Sequence, residues 1–242
     1  MDSRRPPEYT LDLTADRSHV RDIVKGLLHT IFFHRYFTPI FPSTHELLDL
    51  TLPFVAHPEI ESLIESRTTT LLRHLDTSTT STARSKNSSP TFLALTLQFL
   101  ERKRRRTWFL QKPDEEFPWE TWHLNITVLP NNSNNNNNKT PSSEYNATQT
   151  RHLMTHELEK ATWQVLEIAN QQRNHIPPIT TNESNPFPYD LKIKVAGSGG
   201  KGMMVLASGG GTGGGSGGGS IGGGGLGERS GQEGWGGKMG IF

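Results

Sequence analysis

The stretch TFLALTLQFLERKRRRTWFLQKPDEEFPWETWHLNITVL, Thr91 to Leu129, decides the fold. Its opening places Leu93, Leu95, Leu97 and Phe99 at alternate positions, and its close does the same with Trp122, Leu124, Ile126 and Val128. Side chains of a strand point alternately to its two faces, so each run reads as a strand with one apolar face. The two are expected to pair antiparallel. The connection between them is longer than a tight turn requires. It carries a basic run, Arg102, Lys103, Arg104, Arg105 and Arg106, then Trp108 and Phe109 side by side, then the acidic Asp114, Glu115 and Glu116. Adjacent residues of an extended segment point opposite ways, so one shallow pocket rarely buries both rings. Either the loop folds back over its aromatics, or it presents them, as exposed aromatic pairs at binding sites do. The residues alone leave both readings open.

Working outward, Val20, Ile23, Val24, Leu27, Leu28, Ile31 and Phe32 recur at helical spacing, with Asp16 or Ser18 placed to cap the start and Pro39 and Pro42 beyond the end. Before this helix Tyr9, Leu11 and Leu13 alternate as a short strand. After it Glu46–Val55 reads as one strand with Leu48, Leu50, Leu52 and Phe54 on one face, Pro53 arguing for an edge position. Pro58 opens a second helix with Ile60, Leu63, Ile64, Leu71, Leu72 and Leu75 inward, followed by a polar loop, Asp76–Pro90. A third helix is expected over Arg151–Gln172, with Met154, Leu158, Ala161, Val165 and Ile168 as its core face. Tyr189, Leu191, Ile193 and Val195 mark a further strand, and Met203–Ala207 a short return strand. Strands paired mainly antiparallel and packed against three helices make an α+β fold.

Composition bounds the domain. All but one of the 24 glycines lie from Gly197 onward. A segment such as GGGTGGGSGGGSIGGGG has almost nothing to bury and much backbone entropy to lose, so 208–242 is expected to be a disordered Gly-rich tail. The folded part is then a single domain, 8–207, with loop insertions near 76–90 and 130–150, the second holding the tract NNSNNNNNK from Asn131 to Lys139. The chain has no cysteine, which excludes disulfides and thiolate chemistry. A net charge of +1 gives no global attraction to nucleic acid or to a membrane. The N-terminus has no apolar signal-like core, and no apolar run approaches a membrane span, so an intracellular soluble protein is expected.

Catalytic and metal motifs are thin. Gly197-Ser198-Gly199-Gly200-Lys201-Gly202 matches a dinucleotide fingerprint only in form, because polyglycine cannot supply the helix that would face a pyrophosphate. His152 and His156 stand four apart on a helix, but the zinc-protease pattern is absent, and two solvated histidines are the plainer account. No enzyme activity, metal or cofactor is expected. The residues Arg102–Arg106 admit phosphate binding, hence an alternative in which the loop grips RNA or anionic lipid, against a plain solvated strand end.

Three stretches together resemble the autophagy-related protein 101 family: LLHTIFFHR at Leu27–Arg35, the hairpin segment Leu95–Trp122, and LEIANQQRNHIPPI at Leu166–Ile179. The similarity spans Glu8 to about Val195. It departs from the family in the additions at 76–90, in the Asn tract, and in the glycine that replaces ordinary sequence after the last strand. The resemblance implies a HORMA-like fold and a non-catalytic adaptor of the autophagy-initiation kinase complex. The partner it implies is the HORMA domain of autophagy-related protein 13, held as a heterodimer and stabilised. It further implies that Trp108 and Phe109 form an exposed protein-binding loop, the WF finger, which recruits downstream autophagy factors. Arg102 to Arg106 are then candidate electrostatic contacts beside it. The location implied is cytoplasmic, at the preautophagosomal structure.

Overall fold

The computed structural model describes residues 5–82, 91–103, 115–129, 141–180, 185–196 and 203–207. The Asn tract, the Gly197–Gly202 motif and the tail 208–242 lie outside the described residues. Ten elements follow in order: β1 (Glu8–Asp16), α1 (Val20–Arg35), β2 (Pro42–Leu47), β3 (Leu50–Val55), α2 (Pro58–Thr82), β4 (Thr91–Lys103), β5 (Glu115–Leu129), α3 (Pro141–Gln171), β6 (Tyr189–Ala196) and β7 (Met203–Ala207). One sheet runs β1-β5-β4-β6-β7, and β2 with β3 forms a separate two-stranded sheet. All pairings in the large sheet are antiparallel except β1 with β5, which is parallel. The expected return strand Met203–Ala207 is present and pairs with β6.

The helices cover one face of this sheet. Leu93, Leu95, Leu97 and Phe99 of β4 lie opposite Ile126, Leu124, Trp122 and Glu120 of β5, and the apolar members are fully or almost fully buried. Against them α1 buries Val20, Ile23, Val24, Leu27, Leu28, Ile31 and Phe32, the face its spacing predicts. Asp16 acts at the helix start, although His19 is the capping residue: its carboxylate accepts the His19 N–H at 2.8 Å and the Ser18 hydroxyl at 2.8 Å. Helix α3 lies along β1, whose outer edge would otherwise be open to strand pairing. Side chains of α3 close it. Glu157 accepts the Thr14 N–H, Met154 Sδ accepts the Asp16 N–H at 3.2 Å, and Gln164 donates to the Thr10 carbonyl at 3.2 Å.

Three expectations are corrected. Glu46–Val55 is not one strand but the end of the first arm, the turn and the second arm of a hairpin. Leu48 and Asp49 adopt φ of 49° and 66°, the left-handed pair that a tight two-residue hairpin turn demands. No glycine or asparagine announces that turn. It is held by tertiary contacts, because Leu48 is buried in the core and Asp49 pairs with Arg151 of α3 at 3.1 Å. The hairpin comes close over α1 at Gly26, where an added Cβ would stand 2.8 Å from Leu52. Second, Asp76–Thr82 is not a loop but continues α2, and Ala83–Pro90 lies outside the described residues. Third, α3 begins at Pro141, ten residues before the expected Arg151. In both helices the apolar pattern stops before the helix does. Once a helix is nucleated by packing, each added residue gains a backbone hydrogen bond without needing a buried side chain.

His29 lies inside the buried face of α1. The ring stacks on Phe54 at 4.0 Å between centroids, and its Nδ1 accepts the Val55 N–H at 3.4 Å. Burial pushes its pKa down to about 4, and the Lys25 and His45 charges add to the depression. The folded protein therefore keeps His29 neutral while the unfolded chain takes up a proton below its ordinary value near 6.5. Stability from this group is complete above that value and is lost as pH falls from about 6.5 towards 4. The expected loss is on the order of 2–3 kcal/mol. Urea midpoints measured across this range should fall for the wild type and fall less for His29→Leu. Parallel slopes in the two proteins would reject the assignment.

Candidate functional site

The two long strands of the central hairpin project beyond the body of the sheet. The ladder of β4 and β5 runs out to Lys103 opposite Glu115, which places the connection 104–114 at its far end. Trp108, Phe109, Arg104, Arg105 and Arg106 lie outside the described residues. Arg102 and Lys103 are described, at the base of the connection, and both engage acidic neighbours. Arg102 pairs with Glu116 at 3.2 Å, and Lys103 pairs with Glu101 at 3.2 Å while its ammonium stands 5.7 Å from the centre of the Phe117 ring. Exposed pairs of this kind contribute little to stability. They do engage two of the five cations on which the alternative phosphate-binding reading rests.

Closer to the body of the sheet, the ladder is irregular. Phe99 lies opposite Glu120 but Leu100 lies opposite Pro118, so Trp119 is the extra residue of a β-bulge. A bulge lets consecutive residues break the in-out alternation and bends the strand. Here it puts Trp119 and Glu120 inside together. Trp119 packs among Phe99 at 5.6 Å, Phe187 at 5.3 Å, His175 at 5.7 Å and Phe37 at 6.4 Å. Glu120, with no exposed surface, accepts from the Arg35 Nε at 2.9 Å, from His175 Nε2 at 2.7 Å and from the Trp122 indole N–H. Arg35 in turn donates to the carbonyls of Gln172 at 3.1 Å and Ala169 at 3.5 Å. One buried carboxylate thus joins the end of α1, the end of α3, the segment 172–180 and the bulged strand.

A second surface lies on α3, opposite its core face. Gln149, Leu153, His156, Lys160, Trp163 and Glu167 are all exposed and recur at alternating intervals of four and three, so they form one continuous stripe. Trp163 is 65 % exposed and Leu153 44 %, high values for large apolar side chains. His152 and His156 both lie on this solvent side. Among the described residues no group of three or more His, Cys, Asp or Glu is arranged to hold a metal ion. No helix among them is long and apolar enough to cross a membrane.

The reading of the sequence missed both the Glu120 node and the α3 stripe. The stripe had a signal: Trp163 falls off the 154-158-161-165 core spacing of its own helix. The node had almost none, because its members come from four separate parts of the chain.

A family model described as Autophagy-related protein 101 matches residues 12–183, from β1 through the segment after α3. Over 183 residues the chain is 25 % identical to Autophagy-related protein 101 of Schizosaccharomyces pombe, covering 75 % of this chain and 84 % of that one. Over 204 residues it is 24 % identical to Autophagy-related protein 101 of Arabidopsis thaliana, covering 79 % and 88 %.

Proposed function

From the premise that the chain belongs to the autophagy-related protein 101 family and has a role in autophagy, we propose that it is a non-catalytic adaptor of the autophagy-initiation kinase complex. It pairs with the HORMA domain of autophagy-related protein 13 and stabilises that partner. Through the loop bearing Trp108 and Phe109 it recruits downstream autophagy factors. It works in the cytoplasm, at the preautophagosomal structure. The α+β architecture, three helices on a mainly antiparallel sheet, is consistent with the HORMA-like fold this role requires.

The observation that carries the pairing is the α3 stripe. A helix that buries one apolar face against its own sheet and still exposes Trp163 and Leu153 on the other has surface to spare for a second protein. Tryptophan is the side chain most often found at the energetic centre of an interface, where it gives large contact area and few rotors to freeze. Its location on the rigid α3 helix also limits the ordering cost of association.

Co-purification with the HORMA domain of autophagy-related protein 13 tests the reading. Trp163→Ala with Leu153→Ala is expected to weaken the pair by about 2 kcal/mol or more, roughly 30-fold in Kd. The melting temperature of the isolated chain should hardly change, because both side chains already face water. Separate elution of the two wild-type proteins at micromolar concentration would sink the pairing.

A further inference from the structure

We propose that His152 and His156 form a two-histidine chelate for a borderline transition cation of the zinc class, on the exposed face of α3. By spacing alone they read as two solvated residues. The tertiary structure adds what a chelate needs beyond spacing: a continuous helix under both residues, two rings free to coordinate, and a backbone held in place behind them. The site is read from this chain alone and does not depend on the pairing proposed above.

Residues four apart on a helix are surface neighbours, with Cβ atoms about 5–6 Å apart. A cation about 2 Å from each imidazole nitrogen can bridge such a pair, as the two histidines of a zinc-protease helix do. His152 and His156 are the chain's one pair of histidines at this spacing. Helix α3 runs unbroken from Pro141 to Gln171, so both lie well inside it, and both are exposed. Neither ring has a hydrogen bond, ion pair or ring contact among the described residues, so nothing must be broken before a nitrogen can coordinate. Other histidines are already engaged: His19 with Asp16, His29 with Phe54, His123 with Glu8 and His175 with Glu120.

The backbone is held from the opposite side of the helix. Met154 and Leu158 are buried, the Met154 Sδ accepts the Asp16 N–H at 3.2 Å, Glu157 accepts the Thr14 N–H, and Arg151 pairs with Asp49 at 3.1 Å. These contacts fix the turns that carry the two histidines, so coordination orders two side chains and little else. The local charge is nearly balanced. Exposed Glu159, three residues after His156, favours a cation, and exposed Lys160, four after it, opposes one. Imidazole nitrogens suit zinc, copper and nickel, whereas magnesium and calcium take oxygen ligands. No third histidine, cysteine or carboxylate joins the pair among the described residues, so the site has modest affinity and leaves coordination positions open. His156 also belongs to the exposed stripe of Leu153 and Trp163, which puts the cation within the surface assigned to pairing.

Calorimetric titration of zinc chloride into the full chain tests the site, since no cysteine competes for the metal. The wild type is expected to bind one zinc ion saturably. His152→Ala and His156→Ala should each weaken that binding by about 10-fold or more, because each removes one of two ligands. Both rings face water, so the melting temperature of each variant should match the wild type. A third variant separates geometry from histidine content. His152→Ala combined with Lys160→His moves the four-residue spacing one turn along α3 and keeps ten histidines in the chain. It should restore the affinity. His152→Ala combined with Lys160→Ala, which removes the same charge without supplying a ring, should not. No saturable binding by the wild type overturns the proposal. So does binding that survives both single substitutions, which would mark an adventitious ion only, held by the other histidines. Failure of the shifted pair to recover binding overturns it as well, since the spacing would then not be what holds the cation.

Discussion

Replacement of Arg35 by alanine is expected to destabilise the protein by about 3–5 kcal/mol. The size is set by the charge left behind. Glu120 has no exposed surface, and the Arg35 Nε of α1 donates to both of its oxygens at 2.9 Å. Removing the guanidinium leaves a buried carboxylate with only an indole N–H and a partly exposed histidine, and it frees the Ala169 and Gln172 carbonyls at the end of α3. An uncompensated buried charge costs far more than the intact pair contributes. For a domain of this size each kcal/mol moves the melting temperature by roughly 2–4 °C, so a fall of about 10 °C is the expected reading. Arg35→Met combined with Glu120→Met should cost clearly less than Arg35→Ala, because the pair is removed together and no charge is stranded. Additive losses in that comparison, or a single-variant loss under about 1 kcal/mol, would show that water reaches the site and screens it.

The second large effect is expected in binding. Trp108→Ala with Phe109→Ala should abolish capture of downstream autophagy factors from cell extract, a loss of about 2–4 kcal/mol at an interface hot spot, or roughly 30- to 1000-fold in affinity. Two adjacent rings provide large apolar area with few rotors, so a partner that buries them gains much and orders little. On the reading of the loop as exposed, the same variant should keep its melting temperature and its pairing with the partner HORMA domain. The opposite pattern would be a variant that has lost several kcal/mol of folding stability but captures everything once refolded. It would make the rings core residues and remove the recruiting role. Together with the α3 substitutions the experiment separates two surfaces. Trp163 and Leu153 should affect pairing alone, and Trp108 and Phe109 recruitment alone.

How much of this was legible from the residues depends on the range of the interaction that decides each feature. The α1 face, the inward sides of β4 and β5, the core stripe of α3 and the return strand at Met203–Ala207 could all be read directly, because the period of a helix or a strand is a local property. Trp108 and Phe109 stand out in the sequence because their neighbours are charged, and they lie outside the described residues. The parallel pairing of β1 with β5 was not legible, since alternation marks a strand without naming its neighbour. The turn at Leu48 and Asp49 was missed because no glycine or asparagine marks its left-handed backbone, and the burial of Leu48 that accompanies it is a tertiary contact. Helix ends at Thr82 and Pro141 were missed because the apolar spacing in the sequence stops short of them. The node is the extreme case. Glu120 reads in sequence as one more acidic residue in a charged segment, yet its partners Arg35 and His175 stand 85 and 55 positions away. A buried carboxylate is tolerable only where several donors converge on it. Convergence of that kind belongs to three dimensions, so only the tertiary structure decided that Glu120 is interior and that Trp119 is the bulged residue.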